Sequence, residues 1–305
     1  MDKRIEHLLK SSLILEHEVA AIISDCGYHN QGEFSYSRTN ENGEDTDFSV
    51  DLLAIADAGT GATLAELVSI GLLIECKYAS PSVEWVFSKV ARHQPDVFST
   101  LSVFNWLGSH MATDFTTLQA LEPEVYCNRG VSLSSTTADP QKIRHGLQQL
   151  RYALPHALHS HCSVFKGNDE GLPIPVLGSL LVTNAPIRVL NDDVSLSQAS
   201  SCQSLDMLTT VHSHICVYQR ASPELKFACQ RIAKIISETI EGSPVRNIES
   251  SLTDRLIDSV ESVTVISLDA LPAYLNKIRD AVQDLKVMSM GEFAESYNKF
   301  STADE

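Results

Sequence analysis

The chain has 305 residues, 43% of them hydrophobic and 20% charged, and its 39 acidic and 23 basic side chains give a formal net charge of −16. This is the composition of an ordinary globular protein and excludes disorder of the chain as a whole. The acidity excludes a strong attraction of the whole molecule to polyanions, so any phosphate-binding face has to be assembled locally.

Residues 3–26 carry Ile5, Leu8, Leu9, Leu15, Val19, Ile22, Ile23 and Cys26 at helical spacing, which predicts a long amphipathic helix ended by Gly27. GEFSYSR then predicts a short strand, and the Asn-Gly within TNENGEDTD a turn between antiparallel strands. The segments DFSVDLLAIAD and LVSIGLLIECKYAS are too continuously apolar for half-exposed strands, and predict central strands covered on both faces. Gly-Thr-Gly of DAGTGAT is expected as a turn between them.

From 81 to 139 the pattern is mixed, with Trp85, Phe87, Phe98, Phe104 and Trp106 among polar residues, and predicts an insertion whose aromatics form a satellite core or flank a cleft. Asp139-Pro140 starts a helix, QKIRHGLQQLRYALPHAL, with a kink expected at Pro155. IPVLGSLLVTNAPIRVL predicts a strand with a hairpin return, and HSHICVYQR another strand. Helices are expected over about 223–241 and 271–287, before the polar tail STADE.

The longest apolar runs, IGLLI and GSLLV, fall far short of the roughly 20 residues of a membrane helix, so no membrane partner is expected. The N-terminal residues are too interrupted by charge for a secretory signal, which predicts a cytoplasmic protein. Seven scattered cysteines without a CxxC pair read as reduced, mostly packed thiols. His156, His159, His161, Cys162, His212 and His214 match no standard zinc spacing and read as hydrogen-bonded residues. Basic and acidic residues are near balance only over 77–151, with 7 and 6, and over 220–255, with 6 and 5. A phosphate-binding face has to draw on those two stretches.

Alternation along a strand puts Glu75 and Lys77 on one face and Ile74, Cys76 and Tyr78 on the other, and a neighbouring strand can bring Asp51 beside them. Two carboxylates and an ammonium in so apolar a setting cost several kcal/mol per ion unless paired or holding a cation. A hard divalent metal, bound by two carboxylates and a strand carbonyl with water and phosphate completing the shell, accounts for them.

Here the chain resembles the PD-(D/E)XK nuclease superfamily, through LEHEVAAIISDCGY, SVDLLAIA and LLIECKYAS, with GLQQLRYALPHAL and GSLLVTN following in the superfamily's order. The motif residues fall over 3–80, and only the order of elements extends the likeness to 140–190. Val50 stands where the motif has proline. The resemblance implies an α/β, restriction-endonuclease-like core, a central mixed sheet flanked by helices, over residues 1–220, with 81–139 inserted and 221–305 a mostly helical C-terminal region. It implies a magnesium-dependent endonuclease, with manganese able to substitute, acting on DNA, with RNA the alternative substrate, in restriction, phage defence or repair. A homodimer is a natural arrangement for cutting both strands. Asp51 and Glu75 would hold the metal with the main-chain carbonyl of Cys76, and Lys77 would orient the attacking water or neutralise developing charge. Glu16, in phase with the inward face of the first helix, is a further candidate for the metal or its water, and Glu18 is expected in solvent. Gln148, Gln149 and Arg151, on the second helix, are candidates for phosphate or DNA contact. The competing expectation is a binding or scaffold protein that keeps the fold without catalysis.

Overall fold

The computed structural model describes residues 2–39, 44–58, 67–90, 100–104, 111–113, 118, 121–164, 173–239, 248–283, 285 and 287–289. The chain opens with two helices, α1 (Lys3–Lys10) and α2 (Leu13–Asp25), where the sequence predicts one. The Ser11 hydroxyl donates to the Leu8 carbonyl at 2.6 Å and Ser12 adopts φ +64°, so the serine pair breaks the helix by local bonding and a left-handed turn. Leu15, Val19 and Ile23 of α2 are buried, whereas Ile5 and Leu8 of α1 are exposed. Gly27, at φ +82°, ends α2 as expected.

Next come β1 (His29–Asn30), β2 (Phe34–Thr39), β3 (Asp45–Val50), β4 (Leu52–Ala58) and β5 (Val68–Lys77). β2 and β3 form the predicted antiparallel pair, Phe34 opposite Val50 and Thr39 opposite Asp45; its turn, 40–43, lies outside the described residues, as does Gly-Thr-Gly at 59–61. The single strand predicted over 47–57 is divided by a bend at Asp51: β3 stays with β2, while β4 enters the main sheet beside β5. β4 alternates between buried and less buried positions, so of these two segments β5 is the one covered on both faces.

The stretch 81–139 is not an insertion outside the layer. It supplies β6 (Glu84–Lys89), β7 (Leu101–Val103), β8 (Met111–Thr113), β9 (Tyr126–Leu133) and β10 (Ala138–Asp139), and β6, β7, β9 and β10 belong to the main sheet. Trp85 and Phe87, two apart on β6, are fully buried, as is Phe104; they are core, not the walls of a cleft. Phe98 and Trp106 lie outside the described residues. α3 (Gln141–Val164) starts where Asp139 Oδ1 accepts the Gln141 N–H at 2.8 Å, and continues through Pro155 to Val164.

The remaining elements are β11 (Ile174–Thr183), β12 (Ile187–Leu190), α4 (Leu196–Ser201), β13 (Thr209–His212), β14 (His214–Tyr218), α5 (Pro223–Thr239), α6 (Ile248–Glu261), β15 (Ser262–Ser267), α7 (Leu271–Gln283) and β16 (Val287–Ser289). The main sheet runs β1-β4-β5-β11-β15-β14-β9-β6-β12-β13. β12 pairs with β6 and β13, so β11 and β12 are not the predicted hairpin. β15 lies between β11 and β14, parallel to the former and antiparallel to the latter, so the C-terminal region, mostly helical in its described elements, also completes the sheet. SVTVIS, rich in β-branched residues, is a strand sequence placed directly after a helix.

The result is a mixed α/β architecture, a large mixed sheet with helices on both faces. On one face Leu73, Leu177 and Leu181 of the sheet pack with Ile143, Leu147 and Leu150 of α3 and with α5 and α6. On the other, Leu72, Ile74, Cys76 and Leu180 pack with α2 and α7. Among the described residues no helix is long and apolar enough to cross a membrane.

Candidate functional site

Opposite burial of successive β5 residues builds the site. Leu73 belongs to the core under α3 and Ile74 and Cys76 to the core under α2 and α7, so Glu75 and Lys77 point beneath α3. α3 presents Gly146 there: a Cβ on it would stand 3.6 Å from Glu75 Cγ and 3.2 Å from Lys77 Cε. A side chain at 146 would occupy the space that the Glu75–Lys77 pair uses.

Glu75 is 1% exposed and its Oε1 pairs with Lys77 Nζ. Lys77 Nζ also donates to Gln149 Oε1 at 3.3 Å, and Gln149 Nε2 donates to the Ser49 carbonyl at 3.0 Å. One carboxamide therefore bridges the lysine to the end of β3. Tyr36 completes this wall by donating its hydroxyl to the Gln149 carbonyl at 3.0 Å.

Asp51 occupies the bend one residue before the Leu52–Ile74 pair of the β4–β5 ladder, and its Oδ2 accepts the Cys76 N–H at 2.7 Å. The bend, which divides the predicted strand, is what aims this carboxylate at the β5 peptide next to Glu75. Glu16 approaches from α2. Ser12, one turn earlier, accepts the Tyr78 N–H at 3.4 Å, pinning the start of α2 to the end of β5. Glu16 is half-buried and Glu18 exposed, as the helical phase predicts.

Burial pushes the Glu75 carboxyl up to about 7, and the neighbouring Asp51 charge adds to this against the pull of Lys77. Asp51 is also raised, by burial first, with the Cys76 N–H and Lys77 opposing. Glu16 is raised by burial and then by Asp51, with Glu33 contributing in the same direction. The acids thus repel one another around the Lys77 ammonium. Glu75 Oε2 is buried and makes no hydrogen bond of good geometry, although the Asp51 N–H helps to hold the Glu75 carboxyl down. A cation would satisfy both that oxygen and the excess of negative charge. Among the described residues no set of three His, Cys, Asp or Glu side chains is gathered to hold a metal. Asp51 and Glu75 could hold an ion that takes only one or two carboxylates and completes its shell with water and other oxygens.

Two expected contacts are not part of this group. Arg151 is buried and its guanidinium donates to the carbonyls of Val260 at 2.7 Å, Gln219 at 2.6 Å and Arg220 at 3.1 Å. Gln148 is exposed, and its neighbour Gln149 is the one turned inward. Two residues escape sequence reasoning. Glu33 is felt by both Glu16 and Asp51; its signal is an acid just after Gly32, at the entry to β2. Lys142 donates to the Tyr78 carbonyl, and its ammonium is pushed down by burial and then by Lys77, so a second cation stands near the motif.

Three of the candidate zinc histidines have ordinary partners. His161 Nε2 lies 3.2 Å from the Pro173 carbonyl, and His156 and His214 pack against the rings of Tyr36 and Tyr274. All seven cysteines are free, and six are buried. No protein-family model, no curated protein and no solved structure matches the chain.

Proposed function

We propose that the protein is a magnesium-dependent nuclease of the PD-(D/E)XK type, hydrolysing phosphodiester bonds in DNA. The observation that carries this reading is the buried Glu75 carboxylate, paired through one oxygen with Lys77 and without a well-formed hydrogen bond at the other, beside the Asp51 charge. A cation bound between the two acids would take up the oxygen that the pairing with Lys77 leaves unused. The succession of α2, the bend at Asp51, β5, α3 and a parallel β11 supports the restriction-endonuclease-like assignment.

In this reading Asp51, Glu75 and the Cys76 main-chain carbonyl would hold the ion, with Glu16 at its rim. Magnesium supplies charge at the phosphoryl oxygens and a bound water of lowered pKa. Lys77, fixed by Glu75 and Gln149, directs its ammonium to the attacking water and the developing negative charge. Lys142 adds positive charge on the helix side.

Asp51→Asn keeps an acceptor for the Cys76 N–H while removing the charge, and Lys77→Met removes the ammonium. With magnesium present, wild-type protein is expected to cleave DNA, and each variant to lose about 100-fold or more in rate while melting as a folded protein. Cleavage that survives both changes places the chemistry elsewhere. Absence of cleavage of every DNA and RNA form, together with no magnesium binding, favours a non-catalytic binding protein, a reading to which the charge of −16 already lends weight.

A further inference from the structure

A cleft of about 620 Å³ opens where β6, β9 and β14 end, within the roughly 300–1,000 Å³ range of small-ligand sites. Arg129 and Arg220 line it together with Asn128, Tyr218, Gln219 and Ser88, and among the described residues that line it none is acidic. In a chain of net charge −16 this is a local reversal of sign. Arg129 comes from the balanced stretch 77–151 and Arg220 from 220–255, which are far apart in sequence.

The cleft is built. The β6–β9 ladder pairs Ser88 with Arg129 but Lys89 with Cys127, so Asn128 is the extra residue of a bulge, a device that re-aims side chains. The bulge carbonyl of Asn128 accepts from Gln219 Nε2 at 2.9 Å, and Ser88 Oγ donates to Asn128 Oδ1 at 3.0 Å. Behind the opposite wall stand two ions each 8% exposed. Arg151 grips the carbonyls of Gln219 and Arg220, and Glu261 accepts the Tyr218 hydroxyl at 2.6 Å and the Ala221 N–H at 2.7 Å. These buried charges answer each other and hold the segment 218–221 in place, while Arg220 is an exposed residue whose side chain reaches the Tyr218 hydroxyl.

We infer that this cleft binds a nucleotide unit, its phosphate between Arg129 and Arg220 and its base against the Tyr218, Asn128 and Gln219 wall. Arginine forks suit phosphate oxygens, and a phenol ring with carboxamides suits a planar heterocycle. The unit is either a free nucleotide or one residue of a single strand. The inference is independent of the proposed nuclease site, since it uses none of its residues.

Titration calorimetry on the full chain in EDTA, which silences divalent-metal chemistry, tests it with three probes: adenosine 5′-monophosphate, a 5′-phosphorylated octathymidylate and inorganic phosphate. Saturable binding of the first indicates a free nucleotide, and binding of the second alone a strand. Arg129→Gln and Arg220→Gln are each expected to weaken binding about tenfold and the double variant to abolish it, while Arg4→Gln binds as wild type. Both arginines are exposed, so the variants should melt like the parent. The inference is overturned if no nucleotide probe saturates by millimolar concentration, if inorganic phosphate binds as well as either nucleotide, or if the double variant binds unchanged.

Discussion

Gly146 of α3 and Lys77 of β5 approach so closely that a methyl group on the glycine would lie 3.2 Å from Lys77 Cε and 2.7 Å from Leu181 Cδ1. Helical propensity favours alanine over glycine by about 1 kcal/mol, while the contact with Leu181 opposes the change. Gly146→Ala is therefore expected to leave stability within about 1 kcal/mol of the parent and to displace the lysine. Cleavage should fall about tenfold or more, with magnesium affinity less affected. Urea melts and rate measurements on one preparation check this; unchanged cleavage means the lysine has room to spare.

Gln149 gives a second test of how Lys77 is held. Gln149→Leu keeps the bulk and removes both the Lys77 contact and the bond to the Ser49 carbonyl. A loss of about 10- to 100-fold in cleavage is expected, as for residues that orient a metal site's first contacts. Gln149→Glu, which keeps an acceptor for the ammonium, should recover part of it.

Glu75 and His156 pull the pH dependence of stability in opposite directions. Burial holds the Glu75 carboxyl at about 7 against an ordinary 4.5, so the folded protein retains a proton that the unfolded chain has lost between those values. Its contribution is whole below pH 4.5 and declines as pH rises to 7. Burial, then the Arg231 charge, holds His156 at about 4 against 6.5; its contribution is whole above 6.5 and is lost as pH falls towards 4. Each effect is on the order of 1–3 kcal/mol. In EDTA, Glu75→Gln should make stability rise more steeply from pH 4 to 6.5 than in the parent, and His156→Phe should make it decline more steeply towards pH 7. Parallel curves for all three proteins refute both assignments.

Neighbours in sequence, Gln148 and Arg151 should behave oppositely. Arg151→Met strands the carbonyls of Val260, Gln219 and Arg220 and leaves Glu261 without its counter-charge, and a loss of about 3–5 kcal/mol is expected in denaturant melts. Gln148→Ala, at an exposed position, should change stability by less than about 0.5 kcal/mol and leave cleavage unchanged.

The parts of the fold legible in the sequence are those where a local pattern and its burial agree. Glu75 and Lys77 share a face because β5 is regular, and Glu16 turns inward because α2 is. Asp51 is foreseeable as a partner but not as a bend, since VDLLA carries no glycine or proline to mark one. Trp85 and Phe87 mislead because aromatic residues in a mixed-polarity stretch suit a satellite core as well as a strand, and only pairing with β9 and β12 decides between them. Arg151 misleads for a different reason. Its partners are main-chain carbonyls near 219 and 260, which no side-chain pattern announces.

The place of β15 between β11 and β14 governs how the molecule can be made. A ribosome that has released residues 1–220 has delivered Asp51, Glu75 and Lys77 and most of the sheet, but in two halves with a vacant lane between them. The nascent chain must keep the flank of β11 from annealing to a stranger until Ser262–Ser267 emerges. A stop codon after Arg220 should accordingly yield aggregate, not a smaller folded protein.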